Sequence, residues 1–382
     1  MNGWGYEVIR FFGPSVGFSV WIIATDEAGY GPKLGPLVVA ATLWRTSGEG
    51  SATELALTDH RQPGAASPFD SANAHAADPL SLPNWIGDSK KIFASGKSLR
   101  PILTATAAAL WATEQVNGPA ETAEGWNADA VLDWAFSLNR SGESDAGPSE
   151  NEASGQPAFW ATRCDPPEFD HDACHASQAL ANRLRTGTPR LMDVGVRLMT
   201  AKRFNTSCQR SGNKANVAAE QTLCLVQRML ARRERVVCGE RDRSDLAKIA
   251  EPTCIVCDRL GGRRYYSSPI LMHLDVATSV IQESAHNSVY RWHDTVGENV
   301  ISFRVGGDSF VPVGLASMVA KTIRELSMRR FNRFFIDAAK AAGCVPPKPT
   351  AGYPQDAKRF YDSVRELCCR NGLTPEQVWR DR

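Results

Sequence analysis

The sequence has little of what would sort it into a specialised class. No run of about 18 apolar residues is present to cross a bilayer as a helix. Residues 1–17 lack a basic start followed by a long apolar stretch, so no secretory signal is expected. An excess of one charge is also missing. The 43 basic and 42 acidic residues leave a net charge of +1, so any surface that attracts nucleic acid must be local. No internal repeat is evident. The ten cysteines fall mostly in segments that read as core strand or helix, and Cys368 and Cys369 are adjacent. That is not the framework of a small disulfide-stapled domain. These absences together predict a reduced, cytoplasmic, water-soluble chain with no membrane partner.

What is present is enough for a sizeable core: 382 residues, 43% of them hydrophobic. The length fits one or two compact units, or one unit with large insertions. Residues 19–44 hold two β-branched, apolar runs, one around Val20 to Ile23 and one around Leu37 to Val39. The Gly/Pro-rich stretch Gly29 to Pro36 separates them, which predicts strand, loop, strand. Residues 46–83 are rich in Ser, Gly, Ala, Asp and Pro and read as a loop insertion. Helices are predicted over 98–113 and 214–234, with a short one near 128–138, while 158–190 show no clear pattern. Cys254 to Cys257 suits a buried strand ending at Asp258, and 270–305 suggest further strands with a helix among them. The strongest helix covers 312–341, where Leu315, Met318, Val319, Ile323 and Leu326 recur at three and four. A tail helix runs from about 355 to 370, and a last short one opens with Thr374, Pro375 and Gln377 in a capping-box pattern.

The carboxylates carry the chemistry. Asp26 and Glu27 directly follow the apolar run WIIAT, where two unneutralised charges would be costly. For such a pair taken alone, a solvated turn is the ordinary alternative. Asp258 ends the apolar TCIVC, and Asp308 follows VISFRV through two glycines. Three acidic strand ends in one α/β chain point to convergence on one sheet edge. Hard oxygen donors favour Mg²⁺ or Mn²⁺. Two such ions about 4 Å apart can activate water and stabilise the leaving oxygen of a phosphodiester.

Five local strings then narrow the reading. ATDEAGYGPKLGPLVVAATL, GDSKKI at 87–92, CDRLGG from 257, GGDSFVPVGLASMVAKTIREL and AGYP at 351–354 occur in that order. Together they resemble the motifs of the ribonuclease HII family. The resemblance covers about half of the chain and implies a ribonuclease H-like α/β fold, a mixed central sheet flanked by helices. It implies a metal-dependent endoribonuclease that cuts RNA in RNA–DNA hybrids, or ribonucleotides embedded in duplex DNA, leaving 3′-hydroxyl and 5′-phosphate ends. It implies metal ligation by Asp26, Glu27, Asp258 and Asp308, with Mg²⁺ or Mn²⁺ as cofactor and two ions during catalysis. Gly29, Tyr30 and Gly31 would form the loop that reads the ribose 2′-hydroxyl. Tyr353 would stack on the sugar at the junction, and Ser89, Lys90, Ser317 and Lys321 would lie near backbone phosphates. General chemistry agrees: glycine lets a backbone approach a sugar, the 2′-hydroxyl separates RNA from DNA, and lysines neutralise phosphate.

On this reading a catalytic domain spans 1–343, with insertions near 46–83, 114–190 and 260–300. A helical segment, 344–382, carries Gly-Tyr-Pro, and the chain acts as a monomer. The sequence also departs from the family. Tyr30 replaces an arginine, Ala351 a lysine and Gln355 a threonine. A phenol cannot neutralise a phosphate, although Lys33 could supply part of the charge. These departures keep a second reading open: a weakly active or inactive ribonuclease H-like module that binds nucleic acid. Within the third insertion, GGRRYY at 261–266 pairs cations with aromatics and is either a nucleic-acid contact or an ordinary exposed turn. Arg329, Arg330 and Arg333 are either a solvated face or a phosphate-tracking stripe. Cys254 and Cys257 have zinc-like spacing but are expected to pack in the core, since strand positions three apart face opposite ways. Cys164, His171, Cys174 and His175 could hold a structural zinc, against the commoner alternative of a solvated loop.

Overall fold

The computed structural model describes residues 19–46, 86, 98–114, 128–141, 158–160, 171–187, 189–239, 251–307 and 310–381. The two apolar runs near the start are β1 (Trp21–Ala28) and β2 (Leu37–Arg45). Helices α1 (Arg100–Ala112), α2 (Ala128–Ser141) and α3 (His171–Thr186) follow, then β3 (Arg190–Met199). Next come α4 (Ala201–Ser211), α5 (Lys214–Gly239), β4 (Thr253–Asp258) and α6 (Ser267–Leu274). The chain closes with β5 (Ser279–Glu283), β6 (Asn287–His293), β7 (Glu298–Arg304), α7 (Val311–Ala341), α8 (Pro354–Arg370) and α9 (Pro375–Val378).

The strands form one sheet of order β3-β2-β1-β4-β7-β6-β5. Its centre, β1-β4-β7, is parallel, and antiparallel strands complete both sides. The sheet is therefore mixed and flanked by helices, the architecture expected from the sequence. Strand periodicity divides the core in two. Ile22, Ala24, Val38, Ala40, Cys254 and Val256 face a layer containing α1, α7 and α8. Trp21, Ile23, Leu37, Val39, Ile255 and Cys257 face a layer containing α4, α5 and α6. Cys254 and Cys257 thus lie on opposite faces, both buried, and burial pushes their thiols up to about 11 and about 12. They pack as hydrophobes and do not share a metal.

Three elements, α3, β3 and α4, were not legible. Residues 171–186, within a stretch without clear pattern, form a regular helix. Of the four residues that could hold a zinc, Cys164 and the His171 side chain lie outside the described residues, Cys174 is buried and His175 is exposed. β3 carries an internal Asp193 and Gly195, both atypical of strands. The glycine packs under α5: a Cβ there would lie 2.5 Å from the mobile end of Met229 and 3.2 Å from Leu225. β5 and β6 form a hairpin on the edge of the sheet beside β7. At the tail, α9 has the expected capping box between Thr374 and Gln377.

Candidate metal centre and the loops around it

The parallel centre of the sheet fixes the acid positions. In β1, Ile22 and Ala24 point to one layer, so Asp26 follows on that face, and Glu27 follows Trp21 and Ile23 on the other. In β4, Cys254 and Val256 put Asp258 on the same face as Asp26. Thr25 pairs in register with Cys257, so Asp26 and Asp258 are the next residues on neighbouring strands, at their carboxyl ends. One carboxylate oxygen from each of Asp26, Glu27 and Asp258 lies within 4.8 Å of the others. Asp26 is only 8% exposed. Its Oδ1 accepts the Glu27 backbone N–H at 2.8 Å, and Asp258 Oδ1 accepts the Gly307 N–H at 3.2 Å. β7, the parallel neighbour of β4, leads through Gly306 and Gly307 toward Asp308. Asp308, Ser89 and Lys90 lie outside the described residues. Three of the four expected ligands are therefore brought together.

Three carboxylates so close repel one another unless protons or cations intervene. Oxygen donors of this kind fit a hard divalent ion such as Mg²⁺ or Mn²⁺ and offer nothing to a soft one.

The loop after β1 is built against two other segments. Gly29 has φ of +90°, and a Cβ there would lie 2.5 Å from the Pro36 carbonyl oxygen and 2.7 Å from Arg324 Nε. Only glycine fits. Gly31, by contrast, opens to empty space. The backbone N–H groups of Lys33 and Leu34 donate to the Gly352 carbonyl at 2.8 and 3.2 Å. That close approach explains the Gly of the Gly-Tyr-Pro string: Gly352 has φ of +84°, and a Cβ would lie 2.5 Å from Leu34 O. Tyr353 is thereby held beside the 29–35 loop with 48% of its surface exposed. The Arg324 guanidinium lies 5.6 Å from its ring centre.

Arg380 was not foreseen. It is fully buried, yet its Nη1 donates to Gly29 O at 2.6 Å and its Nη2 to Tyr30 O at 3.3 Å. The terminal segment straps the loop from outside. Arg380 N–H donates to Lys33 O at 2.8 Å, and Leu34 pairs with Trp379 as an isolated bridge. Asn205 of α4 anchors the strap, donating to Trp379 O at 2.8 Å and accepting from Asp381 N–H at 3.0 Å. Lys33 Nζ donates to Asp381 O at 2.9 Å, so the lysine expected to replace the missing arginine is engaged with the strap. Burial, and then the charge of Arg324, pull the Arg380 guanidinium down to about 9. Two cations are thus packed under one loop.

Tyr30 points toward the other face. Lys214 Nζ sits 4.7 Å above its ring, and Gly261 abuts its hydroxyl. Burial, and then the charge of Glu27, raise the phenol above its usual value.

Helix α7 runs under the site. Val313 touches the Gly307 position, Arg324 the Gly29 position and Met328 the Gly35 position. Ser317 and Lys321, spaced by four on that helix, lie between them. Ser317 is buried, and Lys321 forms an ion pair with Glu325 at 2.9 Å. The arginines further along do not share one exposed face: Arg329 and Arg333 are exposed, whereas Arg330 is buried. Arg330 is 2% exposed and lies 3.9 Å from Asp133, while Arg333 pairs with Asp337 at 2.8 Å.

No family model and no curated protein matches the sequence. Solved structures with similarity include the ribonuclease H2 from Pyrococcus horikoshii OT3, at 13% identity and a TM-score of 0.35, covering 94% of this chain and 92% of that one. The RNase HII of a PCNA:RNase HII complex from Archaeoglobus fulgidus shows 12% identity and a TM-score of 0.35, covering 95% of each chain. Bst-RNase HIII in complex with Mn²⁺ shows 13% identity and a TM-score of 0.34, covering 100% of this chain and 78% of that one. These are distant likenesses, and no residue role rests on them.

Proposed function

We propose that this chain is a divalent-metal-dependent endoribonuclease that cuts RNA paired to DNA, or ribonucleotides embedded in DNA, leaving 3′-hydroxyl and 5′-phosphate ends. The observation that carries the reading is the meeting of Asp26, Glu27 and Asp258 at the carboxyl ends of two parallel strands. Asp308, at the exit of the third parallel strand, is the proposed fourth ligand. Mg²⁺ or Mn²⁺ held there would supply an activated water and neutralise charge on the scissile phosphate.

The chain's own residues select and place the substrate. Gly31, open to solvent, and the backbone of Gly29 and Tyr30 present a loop that a ribose can approach closely, where the 2′-hydroxyl can be read. Half-exposed Tyr353 offers a face for the sugar at the junction. Ser317 and Lys321, along the helix under the acids, and Ser89 and Lys90 are the proposed phosphate contacts. The test is cleavage of a duplex with one embedded ribonucleotide, beside a continuous hybrid, in Mg²⁺ and in Mn²⁺. Asp26→Asn and Asp258→Asn should each lower cleavage at least a thousandfold while leaving binding within a few fold. Undiminished cleavage in both variants rules out these metal roles. Tight binding by the wild type with no product in either metal supports the binding-module reading instead.

A further inference from the structure

An open groove of about 630 Å³ lies between the start of α5 and the 261–265 loop. It is lined by Asn213, Lys214, Gly262, Arg263, Arg264 and Tyr265, among others, with no carboxylate in the wall. Three cations share this lining, and among the described residues none of them forms an ion pair with a carboxylate. In a chain of net charge +1, such a concentration is local and specific. The three cations differ in use. Arg263 is a tether, donating through Nη2 to Asn216 Oδ1 of α5. Arg264 is exposed at the lip, and Lys214 extends over the Tyr30 ring. Tyr265, beside them, leaves 67% of its surface in solvent.

Tyr30 links the groove's wall to the segments that carry the acids. Gly261 lies three residues after Asp258 and touches Tyr30, and Tyr30 lies three residues after Glu27. Burial, and then Glu27, raise the phenol, while Arg263 lowers it.

We propose that this groove is a backbone-phosphate subsite for the nucleic-acid strand that passes the metal centre. Lys214 and Arg264 neutralise phosphates, and Tyr265 offers a stacking face. The inference rests on the nuclease reading for the identity of the strand. Lys214, carried on the Tyr30 ring, restores at this loop the positive charge that Tyr30 itself lacks. An open, cation-rich groove with an exposed aromatic suits a polyanionic strand better than a small compact ligand, which needs enclosure.

The test uses the full chain with Lys214→Gln and Arg264→Gln combined, sparing the tether Arg263. Fluorescence anisotropy with a labelled duplex carrying one embedded ribonucleotide gives Kd across salt concentrations without divalent ion. The double variant should bind about tenfold more weakly at low salt. Its slope of log Kd against log salt should be smaller by about 1 to 2, as for the loss of one or two phosphate contacts. Tyr265→Ala should weaken binding with no change in slope. Unchanged Kd and slope in the double variant, with a normal melting temperature, overturn the proposal. Cleavage by the wild type keeps the nuclease reading intact in that case. The reverse result, weakened binding in the variant but no cleavage by the wild type in Mg²⁺ or Mn²⁺, supports the groove and removes the nuclease reading.

Discussion

Replacing Arg380 with methionine keeps an unbranched apolar stem but removes a buried guanidinium, whose carbon lies 3.9 Å from the centre of the Phe204 ring. Two carbonyls, Gly29 O and Tyr30 O, then lose charged donors at 2.6 and 3.3 Å. Hydrogen bonds to charged groups contribute roughly 1.5–3 kcal/mol each, and the 3.3 Å bond falls at the low end. Relief of the repulsion with Arg324 offsets part of the loss. The expected net cost is about 3 kcal/mol, a melting-temperature drop of about 6 °C at about 2 °C per kcal/mol. The loop also loses its anchor. Cleavage of an embedded ribonucleotide should fall at least tenfold while Mn²⁺ affinity stays within twofold, because Arg380 touches the loop and not the acids. Arg380→Lys restores charge but not the two-pronged donation and should recover little. Differential scanning calorimetry with single-turnover cleavage reads both effects. A variant that melts and cuts like the wild type would refute the strap as a positioning device.

Gly352→Ala forces a left-handed φ and a 2.5 Å approach to Leu34 O, so urea unfolding should show a loss of about 2–4 kcal/mol, whereas Gly31→Ala, in open space, should lose under 1. Buried Arg233 donates to Asn299 Oδ1 at 2.7 Å, to Thr253 and to Asp294. Burial alone would raise the Asp294 carboxyl, but the charge of Arg233 and the hydrogen bonds from Arg233, Val296 and Gly297 outweigh it and hold the group below its usual 3.8. Because the folded value is depressed, the stabilisation is present above pH 3.8 and is lost as pH falls through the folded value. Urea midpoints measured from pH 6 to pH 3 should therefore fall more steeply for the wild type than for Asp294→Asn. Parallel curves would contradict the assignment.

The parts of the fold that follow simple periodicity were legible in the sequence. β1, β2, β4, α5 and α7 announce themselves by apolar spacing, and α9 by its cap. β3 was hidden because its Asp193 and Gly195 break strand composition: the glycine packs under Met229 and Leu225 of α5, and the aspartate lies 3.7 Å from Arg232 of that helix. At the site, the three described acids could be placed because a charge ending a buried apolar run demands an explanation. Arg324 and Arg380 could not. An arginine on a helix or near a chain end is ordinarily solvated, and nothing local marks it as buried under a loop more than 290 residues away in sequence. In the sequence Lys214 is only the first residue of an amphipathic helix, and its position over Tyr30 depends on how α5 packs.

The central claim is that Asp26, Glu27 and Asp258 form one cation site. Isothermal titration of Mn²⁺ into the full chain at neutral pH tests it directly. The wild type should bind, and Asp26→Asn and Asp258→Asn should each weaken that binding at least tenfold with folding unchanged by circular dichroism. Equal Mn²⁺ affinity in the wild type and both variants would contradict it.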